Sequence, residues 1–202
     1  MNHMKIFNEC WISPFKYPQL KLLLENRSVI ISELKSILHN DNWCAWYYSK
    51  GPTSSLFTEM SKEDIFHYHS KNKCKIAQDK AWKIFGLVLW GEILDFSKHC
   101  PKTMDLLSRL SNLHIINACF SCLEAGSNTL RHRDSNHTYY RCHIPLMVPK
   151  GNCCLQVEES IRMWPINDKL SDLIVFDDTK WHQAWNLTQE NRINLIVDIK
   201  RY

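Results

Sequence analysis

The chain has 202 residues, 45% of them hydrophobic, which suits one packed domain with a sizeable core and excludes a disordered chain. Its 25 basic and 21 acidic side chains are interspersed for a net charge of +4, so no basic arm for nucleic acid stands out. The N-terminus lacks a signal-peptide pattern, and the most apolar stretch, residues 84–94, is far short of the roughly 20 residues that span a bilayer.

A soluble, cytoplasmic or otherwise intracellular protein with no integral membrane segment is therefore expected. Nine cysteines at irregular spacing fit a reducing compartment. Cys119 and Cys122 stand as C-x-x-C, but no second pair lies at zinc-site distance, and their apolar surroundings read as core. Asn-x-Ser/Thr sequences begin at Asn26, Asn136 and Asn186; without an export signal they read as chance matches.

In chain order, helical spacing comes first. Residues 28–39 carry Val29, Ile30, Leu34, Ile37 and Leu38 on one stripe. Ser61 and Asp64 have the spacing of a helix start. Residues 102–113, just after Pro101, place Met104, Leu106, Leu107, Leu110 and Leu113 at helical intervals. From about residue 113 the texture changes to short strands: 115–123, 139–148, 153–158, 170–176 and 192–199. Pro149-Lys150-Gly151-Asn152 marks a turn between two of them. The pattern predicts a single domain over 1–202. Residues 1–112 would form a mainly helical support, and 113–202 a small β-barrel or sandwich covered by helices on one outer face.

The last predicted strand carries the first chemical clue. Ile193, Leu195, Val197 and Ile199 alternate onto one face that needs an apolar cover. Arg192, Asn194, Ile196 and Asp198 share the other face. An arginine pointing into a barrel is costly unless an anion meets it.

A second clue is His132-Arg133-Asp134, which puts an imidazole and a carboxylate on one side of an extended chain, with His182 following 48 residues later. Two histidines and one carboxylate can occupy one face of an iron(II) octahedron and leave the other open for a bidentate co-substrate and oxygen. Arg192 could then grip the far carboxylate of a dicarboxylate. The same residues also fit plainer roles: Asp134 capping a turn, His132 at the surface, and His182 packed beside Trp181 and Trp185. His67 and His69 read as surface or substrate-side residues. Trp43, Trp46, Tyr47 and Tyr48 read as core or groove wall.

Several longer stretches carry a resemblance. They are Cys100-Pro101-Lys102-Thr103 with Leu106-Leu107, Leu130 through Asp134, Arg141 through Gly151 and Trp164. Phe176-Asp177-Asp178 with His182, and Arg192 through Asp198, complete the series. In order and spacing, residues 86–202 resemble the aspartyl/asparaginyl β-hydroxylase family.

The resemblance implies a double-stranded β-helix (jelly-roll, cupin-like) core, with α+β or mainly β content overall. It implies an iron(II)- and 2-oxoglutarate-dependent dioxygenase that uses O2. His132 and His182 take the places of the iron-binding histidines, and Arg192 that of the arginine pairing with the 2-oxoglutarate C5 carboxylate. Arg141 and His143 match co-substrate pocket residues, and Ser121 a hydroxyl that helps hold 2-oxoglutarate. Some animal members have glycine where Asp134 stands. Bacterial lipid-acyl hydroxylases carry His-Arg-Asp, as here, so Asp134 is expected as a third ligand or as the holder of a metal-bound water. Asp177 and Asp178 are expected to be structural or to orient His182.

The substrate implied is the β-carbon of Asp or Asn in a protein or peptide. A lipid acyl chain or small acid is the alternative within the family. A non-catalytic barrel that binds 2-oxoglutarate or a partner is the alternative outside it.

Overall fold

The computed structural model describes residues 10–45, 82–129, 131–165, 167 and 169–201. The predicted helix start at Ser61, the pair His67 and His69, and Trp46, Tyr47 and Tyr48 lie outside them.

Two antiparallel sheets form the core. The larger is ordered β1 (Trp11–Ile12), β10 (Ile174–Phe176), β7 (Tyr139–Met147), β12 (Arg192–Lys200), β5 (Ile115–Leu123), β3 (Trp82–Leu89) and β2 (Cys44–Ala45). A short β4 (Glu92–Ile93) pairs with β3. The smaller sheet is ordered β6 (Ser127–Asn128), β11 (His182–Asn186), β8 (Cys153–Val157) and β9 (Ser160–Met163). The result is the expected mainly β, jelly-roll architecture.

Strand β12 sits between β7 and β5 and is buried on both faces except at its end. Its Ile193, Leu195, Val197 and Ile199 join one core cluster with Leu23, Leu24, Ile30, Leu34, Leu106 and Leu107. Those leucines and isoleucines come from α1 (Lys21–Glu25), α2 (Arg27–Ile37) and α3 (Pro101–Ser108). The apolar alternation of β12 thus found the helical cover it requires. Arg192, Asn194 and Asp198 turn the other way, between the sheets.

Two helix predictions hold, with shorter ends. Helix α3 starts at Pro101 and stops at Ser108; a tight turn at Ser111–Leu113 carries the last predicted apolar residues, still buried. Glu33 of α2 caps α3 from outside. Its carboxylate accepts from the backbone N–H of Lys102 and Thr103 at 2.8 Å each and from Thr103 Oγ1 at 2.7 Å. Glu33→Ala should lower stability by about 1 kcal/mol, the usual cost of a lost cap, measured by urea unfolding.

The helical description of residues 1–112 needs correction. Trp82–Leu89 is a strand paired along β5, and Trp11–Ile12 pairs with β10. Strand β3 is buried toward both faces over most of its length, so it shows no period of two. Strand β11 turns polar His182 and Asn186 inward and Trp185 outward, so its sequence lacks the apolar-in, polar-out alternation by which a strand is read. Cys119 and Cys122, three apart on β5, face opposite sides: Cys119 packs with Ile84 and Ile196, and Cys122 with the helix-side core. They cannot share a metal, and every described cysteine is a free thiol. Asn186 is fully buried, which removes it as a glycan acceptor. Trp43 is core, with its indole 5.8 Å from Phe85.

Candidate active site

Residues 131–134 run beside the first residue of β11. His132 and His182 exchange both backbone hydrogen bonds, N–H to carbonyl at 2.9 and 2.8 Å. An antiparallel pair of this kind puts both side chains on one side. Their rings stand 4.2 Å apart between centroids. The buried His182 points Nδ1 at the Lys180 carbonyl, 2.8 Å away. A carbonyl only accepts, so Nδ1 carries the hydrogen and Nε2 presents a lone pair. Burial first, and then His132, hold its pKa well below the usual histidine value and keep it neutral. His132 packs against Trp82 at 5.5 Å.

Asp134 is engaged in its own loop. Its Oδ1 accepts from the Asn136 N–H at 3.0 Å and its Oδ2 from the Tyr139 hydroxyl at 2.8 Å. Its N–H donates to the Asp178 carbonyl at 2.8 Å. This is the geometry of an Asx turn. Among the described residues, no three His, Cys, Asp or Glu side chains are grouped to hold a metal. The histidine pair is brought together, and the carboxylate of the expected triad is not grouped with it.

Arg192 is 2% exposed, and no carboxylate pairs with it among the described residues. Its guanidinium lies 4.8 Å over the Trp164 ring, with Nη1 3.5 Å from the Ser121 carbonyl and Nε without a partner. With the Asn194 amide turned so that its oxygen faces the donors, that oxygen accepts from Arg192 Nη1 at 3.1 Å and Trp164 Nε1 at 3.2 Å. Burial pulls the Arg192 pKa down to about 10, against a small opposing pull from the Cys153 and Cys122 thiols.

Ser121 lies across from Asn194 in the sheet. Its Oγ accepts from Trp82 Nε1 at 2.9 Å, so its own O–H is left to donate. His143 is buried between Trp164, stacked at 6.0 Å, and Phe176, edge-on at 5.3 Å. Among the described residues, neither of its ring nitrogens has a hydrogen-bond partner. Burial, reinforced by Arg192 and Arg141, keeps it neutral. Buried polar atoms without partners are rare in folded proteins, and their concentration between these sheets marks a place for a polar ligand.

A profile of the family described as Aspartyl/Asparaginyl beta-hydroxylase matches residues 25–202. The chain belongs to this family. The match reaches well ahead of residue 86 and takes in α2 and α3, two of the helices that cover the large sheet. One similar relative is the ornithine lipid ester-linked acyl 2-hydroxylase of Rhizobium tropici, 32% identical over 71% of this chain and 50% of its own length. Another is the aspartyl/asparaginyl beta-hydroxylase of Mus musculus, 26% identical over 50% of this chain and 14% of its own. The chain therefore spans half or less of these relatives' lengths. Among solved structures, a Cupin_2 domain of an XRE-family transcriptional regulator from Enterobacter cloacae aligns over 61% of this chain and all of its own, at 10% identity and a TM-score of 0.40.

Within this family member, Arg141 differs from its expected setting. Its Nε donates to Asp198 Oδ1 at 2.8 Å and its Nη2 to Asp198 Oδ2 at 2.9 Å, and Asp178 stands 3.3 Å away. Its charge is thus met from inside the protein. Burial lifts Asp178 well above the carboxylate range even beside Arg141, and the charges of Asp198 and Asp134 push the same way. Asp178 lies on the turn before His182. Asp177, by contrast, pairs with Arg201 and is structural. The role of Asp198 was not foreseen: 57 residues separate it from Arg141, and only strand register joins them. Asp198→Ala should cost about 3–5 kcal/mol by leaving Arg141 short of a carboxylate, seen as a lower unfolding midpoint.

Proposed function

We propose that this protein is an iron(II)- and 2-oxoglutarate-dependent hydroxylase of an unactivated C–H bond. The observation that carries this reading is Arg192, a buried cation that meets no carboxylate among the described residues, on the sheet face that also holds Ser121 and His143 and adjoins the histidine pair.

The residues present fit both groups. His132 and His182 would hold iron(II), for which His182 already has its Nε2 lone pair free of the Lys180 bond. Arg192 and the Ser121 hydroxyl would take one carboxylate of 2-oxoglutarate, by charge and by hydrogen bond. Bound iron(II), with 2-oxoglutarate and O2, supplies the oxidising power for C–H hydroxylation. The chain's own part is to orient and enclose. Lys180 fixes the His182 tautomer through its carbonyl. Trp82, Trp164 and Phe176 wall the space and keep water out. Neutral His143 offers one N–H and one lone pair beside Arg192 without adding charge.

For the substrate, the family description supports Asp or Asn residues of a protein or peptide. The Rhizobium relative, similar over more of the chain and at higher identity than the mouse one, supports an acyl chain. Succinate formation from 2-oxoglutarate by the iron-loaded protein tests the reaction class. Binding of 2-oxoglutarate with no succinate, whatever substrate is offered, would leave a non-catalytic barrel.

A further inference from the structure

Strand β12 turns two polar acceptors between the sheets, four residues apart, and each meets an inward arginine. Asp198 is directly opposite Arg141 of β7 and accepts from its Nε and Nη2 at 2.8 and 2.9 Å. Asn194 is opposite Ser121 of β5, and Arg192 precedes it by two residues on the same face. With its amide oxygen toward the donors, Asn194 accepts from Arg192 Nη1 at 3.1 Å and from Trp164 Nε1 at 3.2 Å. Its nitrogen then donates to the Ile193 carbonyl at 3.3 Å. Asn194, Arg192 and Trp164 are all buried.

Asparagine and aspartate have the same shape and differ in charge. An aspartate at 194 would set a carboxylate on Arg192, as Asp198 does on Arg141, and would meet the arginine from inside the protein. The amide oxygen acts differently. It takes a hydrogen bond and so fixes the guanidinium, but it leaves the positive charge unmet. The same oxygen holds the Trp164 indole N–H, and the guanidinium lies 4.8 Å over the Trp164 ring. One neutral acceptor thus sets both the cation and the aromatic face that supports it. Arg192 Nε still has no partner among the described residues, and the Ser121 hydroxyl on the neighbouring strand is left to donate. A buried cation left unmet costs stability, and an anion arriving from outside offsets that cost.

We propose that Asn194 is a positioning residue that reserves Arg192 for a carboxylate-bearing ligand: it orients the guanidinium without neutralising it. That the ligand is 2-oxoglutarate rests on the hydroxylase reading; the role of Asn194 toward Arg192 does not. The test compares N194D and N194A with wild type. Each is titrated calorimetrically with 2-oxoglutarate as the iron(II)-loaded protein without oxygen, and each is unfolded by urea without ligand. N194D should bind 2-oxoglutarate at least about a hundredfold more weakly, because its own carboxylate takes the place of the ligand's. Its ligand-free urea midpoint should lie above that of wild type, because the buried cation gains a partner. N194A keeps the charge open and loses one acceptor. It should bind within about tenfold of wild type and unfold at a lower urea concentration. A residue that only packs the core would lose stability and affinity together in both variants, whereas N194D should gain one and lose the other. An N194D that is no more stable than wild type, or that does not fold, would overturn the proposal. So would 2-oxoglutarate binding by wild type that N194D does not weaken, which would leave the hydroxylase reading in place. If wild type binds no 2-oxoglutarate while N194D is the more stable protein, the hydroxylase reading falls and Asn194 keeps its role toward another anion.

Discussion

Arg192→Met is expected to lower 2-oxoglutarate affinity by at least about a hundredfold and, without ligand, to make the protein more stable than wild type. The guanidinium is buried, and among the described residues no carboxylate pairs with it. The fall of its pKa from the ordinary arginine value to about 10 corresponds to roughly 3 kcal/mol of unfavourable burial. The sign follows from proton binding: a base whose folded pKa is depressed binds fewer protons than it does unfolded. The penalty is therefore fully present at neutral pH and fades as pH rises past about 10 toward the ordinary arginine value. Methionine fills much of the same volume against Trp164 and removes the charge, a change that in other buried ionic sites is neutral or stabilising by about 1–4 kcal/mol. A dicarboxylate should do the opposite to the wild type, raising its thermal midpoint by meeting the charge. Calorimetric titration and thermal unfolding with and without 2-oxoglutarate read both effects. Unchanged affinity in Arg192→Met would remove this arginine from the site.

The second large effect is expected at the histidine pair. His132→Ala and His182→Ala should each lower iron-dependent succinate formation by about a thousandfold or more, since on the proposed reading each histidine is a direct contact to the metal. Asp134→Asn should keep turnover within a few-fold of wild type. An amide oxygen can still accept from the Asn136 N–H and the Tyr139 hydroxyl, the contacts that occupy Asp134. Succinate measured for all three variants at saturating iron(II), with iron content measured in parallel, decides the number of protein ligands. Collapse of turnover and iron content in Asp134→Asn would make the carboxylate a ligand and overturn its assignment to the turn.

These two predictions draw on different kinds of information. The inward direction of Arg192 was legible in the sequence, because a strand alternates with period two and Ile193, Leu195, Val197 and Ile199 claim the opposite face. The same local logic set the stripe of α2, the proline start of α3 and the bounds of β5 to within a residue or two. Arg192, His143 and Ser121 could be singled out one by one from motif and period.

What the chain alone could not decide depends on pairing between distant strands. That Arg141 is met by Asp198 and Asp178, while Arg192 meets no carboxylate among the described residues, follows from register across β7, β12 and the turn before β11. No local pattern tells two inward arginines apart. The role of Asp134 was equally open, since His-x-Asp has one spelling for a ligand and for a turn. The Tyr139 hydroxyl and the Asn136 N–H gave it a setting only once the loop was closed. Strands β3 and β11 hid for a related reason. Burial on both faces erases the alternation of β3, and β11 turns polar His182 and Asn186 inward, so only their neighbours in the sheet reveal them. Sequence by itself determined which faces must be covered and which inward groups need partners. Tertiary structure decided which partners they met, because charges and hydrogen bonds act over a few ångströms in space whatever their separation along the chain.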